Sequence, residues 1–221
     1  MDTKKIKIAI DSPAGAGAGT QSKLISKHYN LFYLDTGKIY CILALYKLKY
    51  PNKFNLTYVQ KKIKNIKLSE LNNKKLLSNE IKIEASIISK NKKIRKLVDT
   101  VQKQYAYNPP KKYNGSCLDG RDITYKILPD ADFKFFITAN VKVRAKRRYK
   151  ELKILNKKIK YTDVLKSITK RDQSDYKRKI SPLKKTKDSI LIDTTNLTIK
   201  KCFSIIKNII DKGLKENNIN L

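Results

Sequence analysis

Short apolar runs alternate along the chain with longer segments in which apolar residues recur every three to four positions. Runs of the first kind predict strands, and segments of the second kind predict helices. The predicted strands are residues 5–11, 31–34, 116–119, 133–138 and 189–193, and the predicted helices are 18–29, 38–49, 82–106, 141–153, 161–178 and 198–213. Because strands that alternate with helices favour a parallel sheet covered on both faces, the pattern predicts an α/β fold with a five-stranded parallel sheet.

Two stretches are less regular. Residues 66–68 and 76–77 flank Asn72-Asn73 and predict a small hairpin. The lysine-rich stretch 153–160 predicts a mobile connection within a domain. A length of 221 residues suits one α/β domain, so we expect residues 1–221 to form a single domain.

The formal charge of +32 points to partners that carry phosphate, such as nucleotides, nucleic acid or anionic lipid. The lysines are spread over the whole length, however, which also fits a compositional bias on solvated surfaces. Arginine is more informative because its planar fork of donors suits phosphates and bases. All seven arginines lie between positions 95 and 178, and they are Arg95, Arg121, Arg144, Arg147, Arg148, Arg171 and Arg178.

Cysteine and histidine give no metal-binding pattern. Cys41, Cys117 and Cys202 lack CxxC spacing, and His28 is the one histidine. No apolar run is long enough for a signal peptide or a membrane span. We therefore expect a reduced, cytoplasmic protein without a membrane partner.

A glycine-rich turn joins the first predicted strand to the first predicted helix. Its residues are Ser12, Pro13, Ala14, Gly15, Ala16, Gly17, Ala18, Gly19 and Thr20. A turn of this kind presents backbone N–H groups and a helix N-terminus to an anion, as in P-loops, where a hydroxyl at the position of Thr20 ligates Mg²⁺. Ser12 replaces the first glycine of the usual motif and Ala18 replaces its lysine, so a purely structural turn remains an alternative.

Further motifs follow the predicted strands. Leu34-Asp35-Thr36-Gly37-x-x-Tyr40 follows the second strand and Leu118-Asp119-Gly120-Arg121-Asp122 the third, while Arg144-x-x-Arg147-Arg148 and Arg171-Asp172-x-x-Asp175-x-x-Arg178 lie on later helices. In this order the motifs resemble those of the bacterial cytidylate kinase family over most of residues 5–210. The resemblance implies a three-layer P-loop kinase fold with a region that binds the nucleoside monophosphate (about 36–113) and a lid (about 150–182).

The same resemblance implies the chemistry. ATP would be the donor, CMP or dCMP the acceptor, and Mg²⁺ the metal, with no specific nucleic-acid partner and a monomeric state. The catalytic residues would be Arg121, Asp122, Arg148 and Arg171, and the CMP-binding residues would be Thr36, Ser86, Arg95, Asp122, Asp175 and Arg178.

Spacing supports part of this assignment. Arg171, Asp175 and Arg178 fall on one face of a helix, where Asp175 can accept from an exocyclic amine and Arg178 can donate to ring acceptors. A surface ladder of ion pairs is the alternative for these three residues. Asp122 could instead cap a turn, and Ser86 could be an ordinary helical serine.

Two further expectations concern the adjacent pair Arg147 and Arg148 and the residue Tyr40. We expect Arg148 to face the transferring phosphates and Arg147 to face solvent, because adjacent helical residues do not share a face. We expect Tyr40 to belong to the core.

Three positions depart from the family pattern, namely Ser12, Ala18 and Cys41, the last replacing an arginine expected at the monophosphate. Lys23, Arg148 or a lid lysine could replace the lost P-loop lysine. The sequence therefore leaves open a kinase, a nucleotide-binding relative with weak or no activity, and a nucleic-acid-binding protein on a reused fold.

Overall fold

The computed structural model describes residues 5–155 and 158–217. Its centre is a sheet of five parallel strands in the order β2-β3-β1-β4-β5. The strands are β1 (Ile6–Asp11), β2 (Phe32–Asp35), β3 (Gly115–Gly120), β4 (Phe133–Thr138) and β5 (Ile190–Asp193). The predicted five-stranded parallel sheet is confirmed.

Eight α-helices occupy the described residues. They are α1 (Ala18–His28), α2 (Thr36–Lys49), α3 (Leu56–Lys64), α4 (Asn79–Ile88), α5 (Lys92–Tyr107), α6 (Val141–Leu155), α7 (Tyr161–Lys177) and α8 (Ile199–Glu216). These helices cover both faces of the sheet. Strand β1 shows this, because alternate residues of a strand point to opposite faces. Ile8 and Ile10 pack with α1 and α8, whereas Ala9 packs with α2, α3, α4 and α5.

The carboxyl ends of the three adjacent strands β1, β3 and β2 meet at one edge of the sheet. Asp11 lies opposite Gly120, and Asp35 lies opposite Asp119. Asp11 is fully buried, and its carboxylate accepts from the backbone N–H of Ile123 at 2.8 Å and of Thr124 at 2.9 Å. This carboxylate therefore fixes the chain that leaves β3, directly beside the glycine-rich turn.

The region after α2 differs from the prediction. The predicted helix 82–106 is two helices, since α4 ends at Ile88 and Asn91 caps the start of α5 by accepting from the N–H of Lys93 and Ile94. The predicted hairpin is wrong, because Leu68–Asn72 and Lys74–Leu77 form 3₁₀ helices. Helix α3, a 3₁₀ turn at Pro51–Lys53 and a π-helical turn at Ile123–Ile127 were not predicted.

Helices α6 and α7 pack on each other around a small separate core of Ala145, Leu152, Val164 and Ile168. The predicted mobile connection 153–160 includes residues 156 and 157, which lie outside the described ranges. In residues 5–155 and 158–217, no helix combines the length and apolarity that crossing a bilayer requires.

Candidate active site

The glycine-rich turn adopts the backbone conformation that its glycines allow. Gly15 and Gly17 have φ values of 77° and 94°, in the left-handed region that favours glycine. A Cβ atom on Gly15 would also lie 3.2 Å from the carbonyl oxygen of Arg144. Helix α1 begins directly after Gly17, so its N-terminus faces the space that the turn encloses.

Polar side chains hold the outer side of this turn. Arg144 donates from Nη1 to the carbonyl oxygen of Ala14 at 3.0 Å, and Thr194 donates from Oγ1 to that of Ala16 at 2.9 Å. Within the described chain, the backbone N–H groups of residues 14–19 donate to no acceptor. With its carbonyls held outward and its amides unpaired, the turn is prepared to bind an anion.

A cleft of about 840 Å³ opens where the turn meets the carboxyl ends of β1, β2 and β3. The residues predicted to bind nucleotide or to act in catalysis all line it, namely Ser12 to Thr20, Thr36, Ser86, Arg95, Arg121, Asp122, Arg148, Arg171, Asp175 and Arg178. Of the seven arginines, Arg144 does not line it. The structure thus brings these residues together, while their individual roles stay predictions.

Asp175 is the centre of an arginine cluster on one side of the cleft. Its Oδ2 atom accepts from Nε of Arg121 at 2.8 Å and lies 3.8 Å from Nε of Arg171, and its Oδ1 atom lies 3.6 Å from Nη1 of Arg178. Burial alone would raise the pKa of Asp175, but the surrounding guanidinium groups lower it below its ordinary value. The carboxylate therefore stays ionised and can only accept hydrogen bonds.

Arg95 and Asp122 form a second buried pair in the cleft. Nη1 of Arg95 lies 3.0 Å from Oδ2 of Asp122, and their side chains are 3% and 8% exposed. Nε of Arg95 donates to the carbonyl oxygen of Ser89 at 2.9 Å. Ser89 lies in the short turn between α4 and α5. Tyr40 is buried, as expected, and its ring packs under the Arg95 guanidinium with 5.4 Å between Cζ and the ring centroid.

Thr36 joins the start of α2 to the end of β3. Its Oγ1 atom donates to the carbonyl oxygen of Asp119 at 2.7 Å. Gln102, a buried cleft residue that the sequence did not suggest, donates to the carbonyl oxygen of Thr36 at 3.5 Å. Ser86 lines the cleft with its side chain partly exposed.

The expectation for Arg147 is wrong, because both Arg147 and Arg148 line the cleft. Arg147 is half-buried and donates to Oγ1 of Thr194 at 2.9 Å and to its carbonyl oxygen at 2.6 Å. Arg148 donates to Glu151 at 2.9 Å and to the carbonyl oxygen of Leu77 at 2.8 Å. Long flexible side chains on adjacent helical positions can converge on one site even though their Cβ atoms diverge.

Asp119 lies next to the glycine-rich turn, since a Cβ atom on Gly19 would be 3.3 Å from its Oδ2 atom. Burial, followed by the nearby charge of Asp35, raises the pKa of Asp119 well above its ordinary value. A cation would relieve this repulsion. Among the described residues no three His, Cys, Asp or Glu side chains form a metal cage, but Mg²⁺ usually takes one or two carboxylates together with substrate phosphates and water. The Thr20 hydroxyl and the Asp119 carboxylate, which line the same cleft, fit that pattern.

Ala18 and Cys41, the two most consequential departures, occupy buried positions at the cleft. Neither side chain offers a positive charge to a phosphate. Lys23, which the sequence suggested as a replacement for the P-loop lysine, lines the cleft. Lys82 also lines it, and no pattern in the sequence of α4 separated Lys82 from the many other lysines in the chain. For Lys82 the one available signal was its position four residues before Ser86, on the same helix face.

The parallel sheet and a phosphate cradle between β1 and α1 define a P-loop kinase fold. The sequence profile of the family described as Cytidylate kinase matches residues 8–212. A "Cytidylate kinase" of Mesomycoplasma hyopneumoniae (strain 7448) is 36% identical over 235 residues, covering all of both chains. The chain belongs to the cytidylate kinase family.

Two other comparisons agree. A "Cytidylate kinase" of Clostridium botulinum (strain Okra / Type B1) is 41% identical over 218 residues, covering 94% of this chain and 98% of the relative. A crystal structure of an uncharacterized protein from Eubacterium ventriosum ATCC 27560 has a TM-score of 0.54 and 16% identity, covering 93% of this chain and 98% of that one. The last match speaks for the fold alone.

Proposed function

We propose that this chain transfers the γ-phosphate of ATP to CMP or dCMP and forms CDP or dCDP. The observation that carries the proposal is one cleft that holds both an anion cradle and a buried, ionised carboxylate flanked by arginines. The cradle suits the ATP phosphates, and the carboxylate suits the amino group of cytosine. The family to which the chain belongs is named for kinase activity on cytidylate.

Positioning and charge neutralisation do most of the work in phosphoryl transfer. The amides of residues 14–19 would hold the donor phosphates. Arg121, Arg148 and Arg171 would offset the charge that spreads over the moving phosphoryl group. Asp122, with Arg95 beside it, would orient the sugar of the acceptor, close to Thr36 and Ser86.

Asp175 and Arg178 would read the base. A permanently ionised carboxylate accepts from the 4-amino group of cytosine but repels the 4-carbonyl oxygen of uracil. Arg178 would donate to the ring acceptors of the same base. This arrangement predicts a preference for CMP over UMP, because a mismatched buried polar group is costly.

Thr20 and Asp119 would hold Mg²⁺ at the cradle. When bound, the ion would neutralise part of the charge on the donor phosphates. We also propose that about 36–113 forms the monophosphate-binding region and about 150–182 the lid. The three cysteines are free and buried, which fits a reducing cytoplasm, and we propose a monomer without a nucleic-acid partner.

The alternative of a weak or inactive nucleotide-binding relative rests on Ala18 and Cys41, and the comparisons do not support it. A coupled ADP-release assay with CMP, dCMP, UMP and AMP tests the proposal. We expect turnover with CMP and dCMP that clearly exceeds turnover with UMP and AMP. If CMP gives no ADP above the rate without enzyme, the proposal is wrong.

A further inference from the structure

Lys82 is a charged cleft residue without a counterion. It is partly buried on α4 and lines the cleft beside Arg148, Arg171, Cys41 and Asp35. Within the described chain its ammonium group makes no ion pair and no hydrogen bond. A lysine whose ammonium is drawn away from water without a partner lowers the stability of the folded protein, so a structural role does not account for it.

Its neighbours make this position still less favourable. Burial, together with the positive charges of Arg148 and Arg171, lowers the pKa of Lys82 to about 8. Nε of Arg171 is buried and has no hydrogen-bond partner. Lys82 also lies near the N-terminus of α4, where the helix dipole disfavours a cation. Three cations therefore converge on one part of the cleft, where a bound anion would stabilise them.

The placement of Lys82 assigns this anion to the acceptor. Lys82 and Ser86 are four residues apart on α4, so both point into the cleft from the same helix face. On the facing helix α2, Cys41 offers a buried thiol that is neutral at pH 7, because burial raises its pKa. Lys82 on α4 thus provides a positive charge beside Cys41, where α2 provides none.

We propose that Lys82 binds the phosphate group of the acceptor nucleoside monophosphate, together with Arg171. The inference rests on the proposed function for the identity of the nucleotide. A nucleoside monophosphate carries a dianionic phosphate at pH 7, which matches the unpaired ammonium of Lys82 and the guanidinium of Arg171, whose ion pair with Asp175 is a long one of 3.8 Å. In this role Lys82 is a substrate-binding residue, and it compensates for the uncharged Cys41.

The test compares Lys82→Met and Lys82→Arg with Lys90→Met as a matched control. Lys90 is an exposed lysine just after α4 that does not line this cleft, and its removal changes the net charge by the same amount. We expect Lys82→Met to raise the KM for CMP at least about tenfold, since a charged hydrogen bond is lost, and to leave the KM for ATP within about twofold. Lys82→Arg should recover most of the loss.

The pH profile separates binding from a structural role. In the wild type, kcat/KM for CMP should fall as the pH rises through about 8, because neutral Lys82 no longer attracts phosphate. The fall should be absent in Lys82→Arg, since arginine stays charged. The other groups that face Lys82 are Arg148, Arg171, Asp35 and Cys41, and all four remain in Lys82→Arg, so a fall that this variant abolishes belongs to Lys82. Lys82→Met should also raise the Tm of the unliganded protein.

Calorimetry of CMP binding, with cytidine as the phosphate-free probe, completes the test and needs no turnover. Weaker binding of CMP but not of cytidine by Lys82→Met would support the proposal even if the wild type formed no CDP, a result that would overturn only the proposed function. A KM and a Kd for CMP within twofold of wild type, or equal effects of Lys82→Met and Lys90→Met, would overturn the role of Lys82.

Discussion

The buried pair of Arg95 and Asp122 gives the sharpest prediction about stability. Asp122→Asn keeps the shape of the side chain and one acceptor for Nη1 of Arg95, but it removes the negative charge from a pair that is 3% and 8% exposed. Lys126 lies 4.0 Å from Asp122 but keeps its own partner Asp99 at 2.7 Å. The substitution therefore leaves Arg95 as an uncompensated buried charge.

Breaking a buried ion pair by removing one charge costs about 3–5 kcal/mol. Because the amide can still accept from Arg95, and Arg95 keeps its bond to the Ser89 carbonyl and its contact with Tyr40, we expect a loss of about 3 kcal/mol, at the low end of that range. In a chain of this length the loss corresponds to a fall in Tm of about 6–12 °C.

Urea unfolding of the unliganded protein, followed by circular dichroism, measures the loss. Glu216→Gln is the control, because its partner Lys212 lies 3.8 Å away and both side chains are more than half exposed. The control should change the free energy of unfolding by less than about 0.5 kcal/mol. If Asp122→Asn costs less than about 1 kcal/mol, the pair is not desolvated as the structure describes.

Three more predictions follow from the glycine-rich turn and its surroundings. Ala18→Lys should raise kcat with CMP at least about tenfold, because it adds a cation at the cradle, and an unchanged kcat would mean that another cation already serves there. Gly17→Ala, at a φ of 94°, should cost about 1 kcal/mol in urea unfolding and raise the KM for ATP, and an unchanged midpoint would contradict the left-handed turn. Burial raises the pKa of Asp11 to about 6, above the ordinary 3.8, so the folded state holds this proton more tightly and Asp11 contributes stability as the pH falls from about 6 to 4. A carboxyl NMR titration of Asp11 should show a midpoint near pH 6, and a midpoint near 4 would refute the effect.

The sheet was predictable because each strand is a short apolar run between turn residues. All five predicted strands overlap those observed, and the glycine-rich turn predicted where the anion cradle lies. The region after α2 was harder. Its apolar period runs on through residues 82–106, and the signal for the break was Asn91, whose side chain caps the start of α5 three residues after α4 ends. Asn55, which caps α3 by accepting from the N–H of Tyr58, was a similar signal.

The candidate site was predictable where arginine is rare and hidden where lysine is common. Arg121, Arg171 and Arg178 stood out in a chain that otherwise uses lysine, and the structure places all three around Asp175. Lys82 did not stand out, because its lack of a counterion appears only when α4, α6 and α7 are brought together in space. The missing ion partner of Lys82 in the fold, rather than its residue type, distinguishes this lysine.

Product analysis with γ-labelled ATP and CMP tests the kinase assignment most directly. After incubation with the wild-type protein and Mg²⁺, chromatography should show the label in CDP, together with an equal amount of ADP. Label that appears only in inorganic phosphate, or stays in ATP at every CMP concentration, would contradict the assignment of this chain as an active cytidylate kinase.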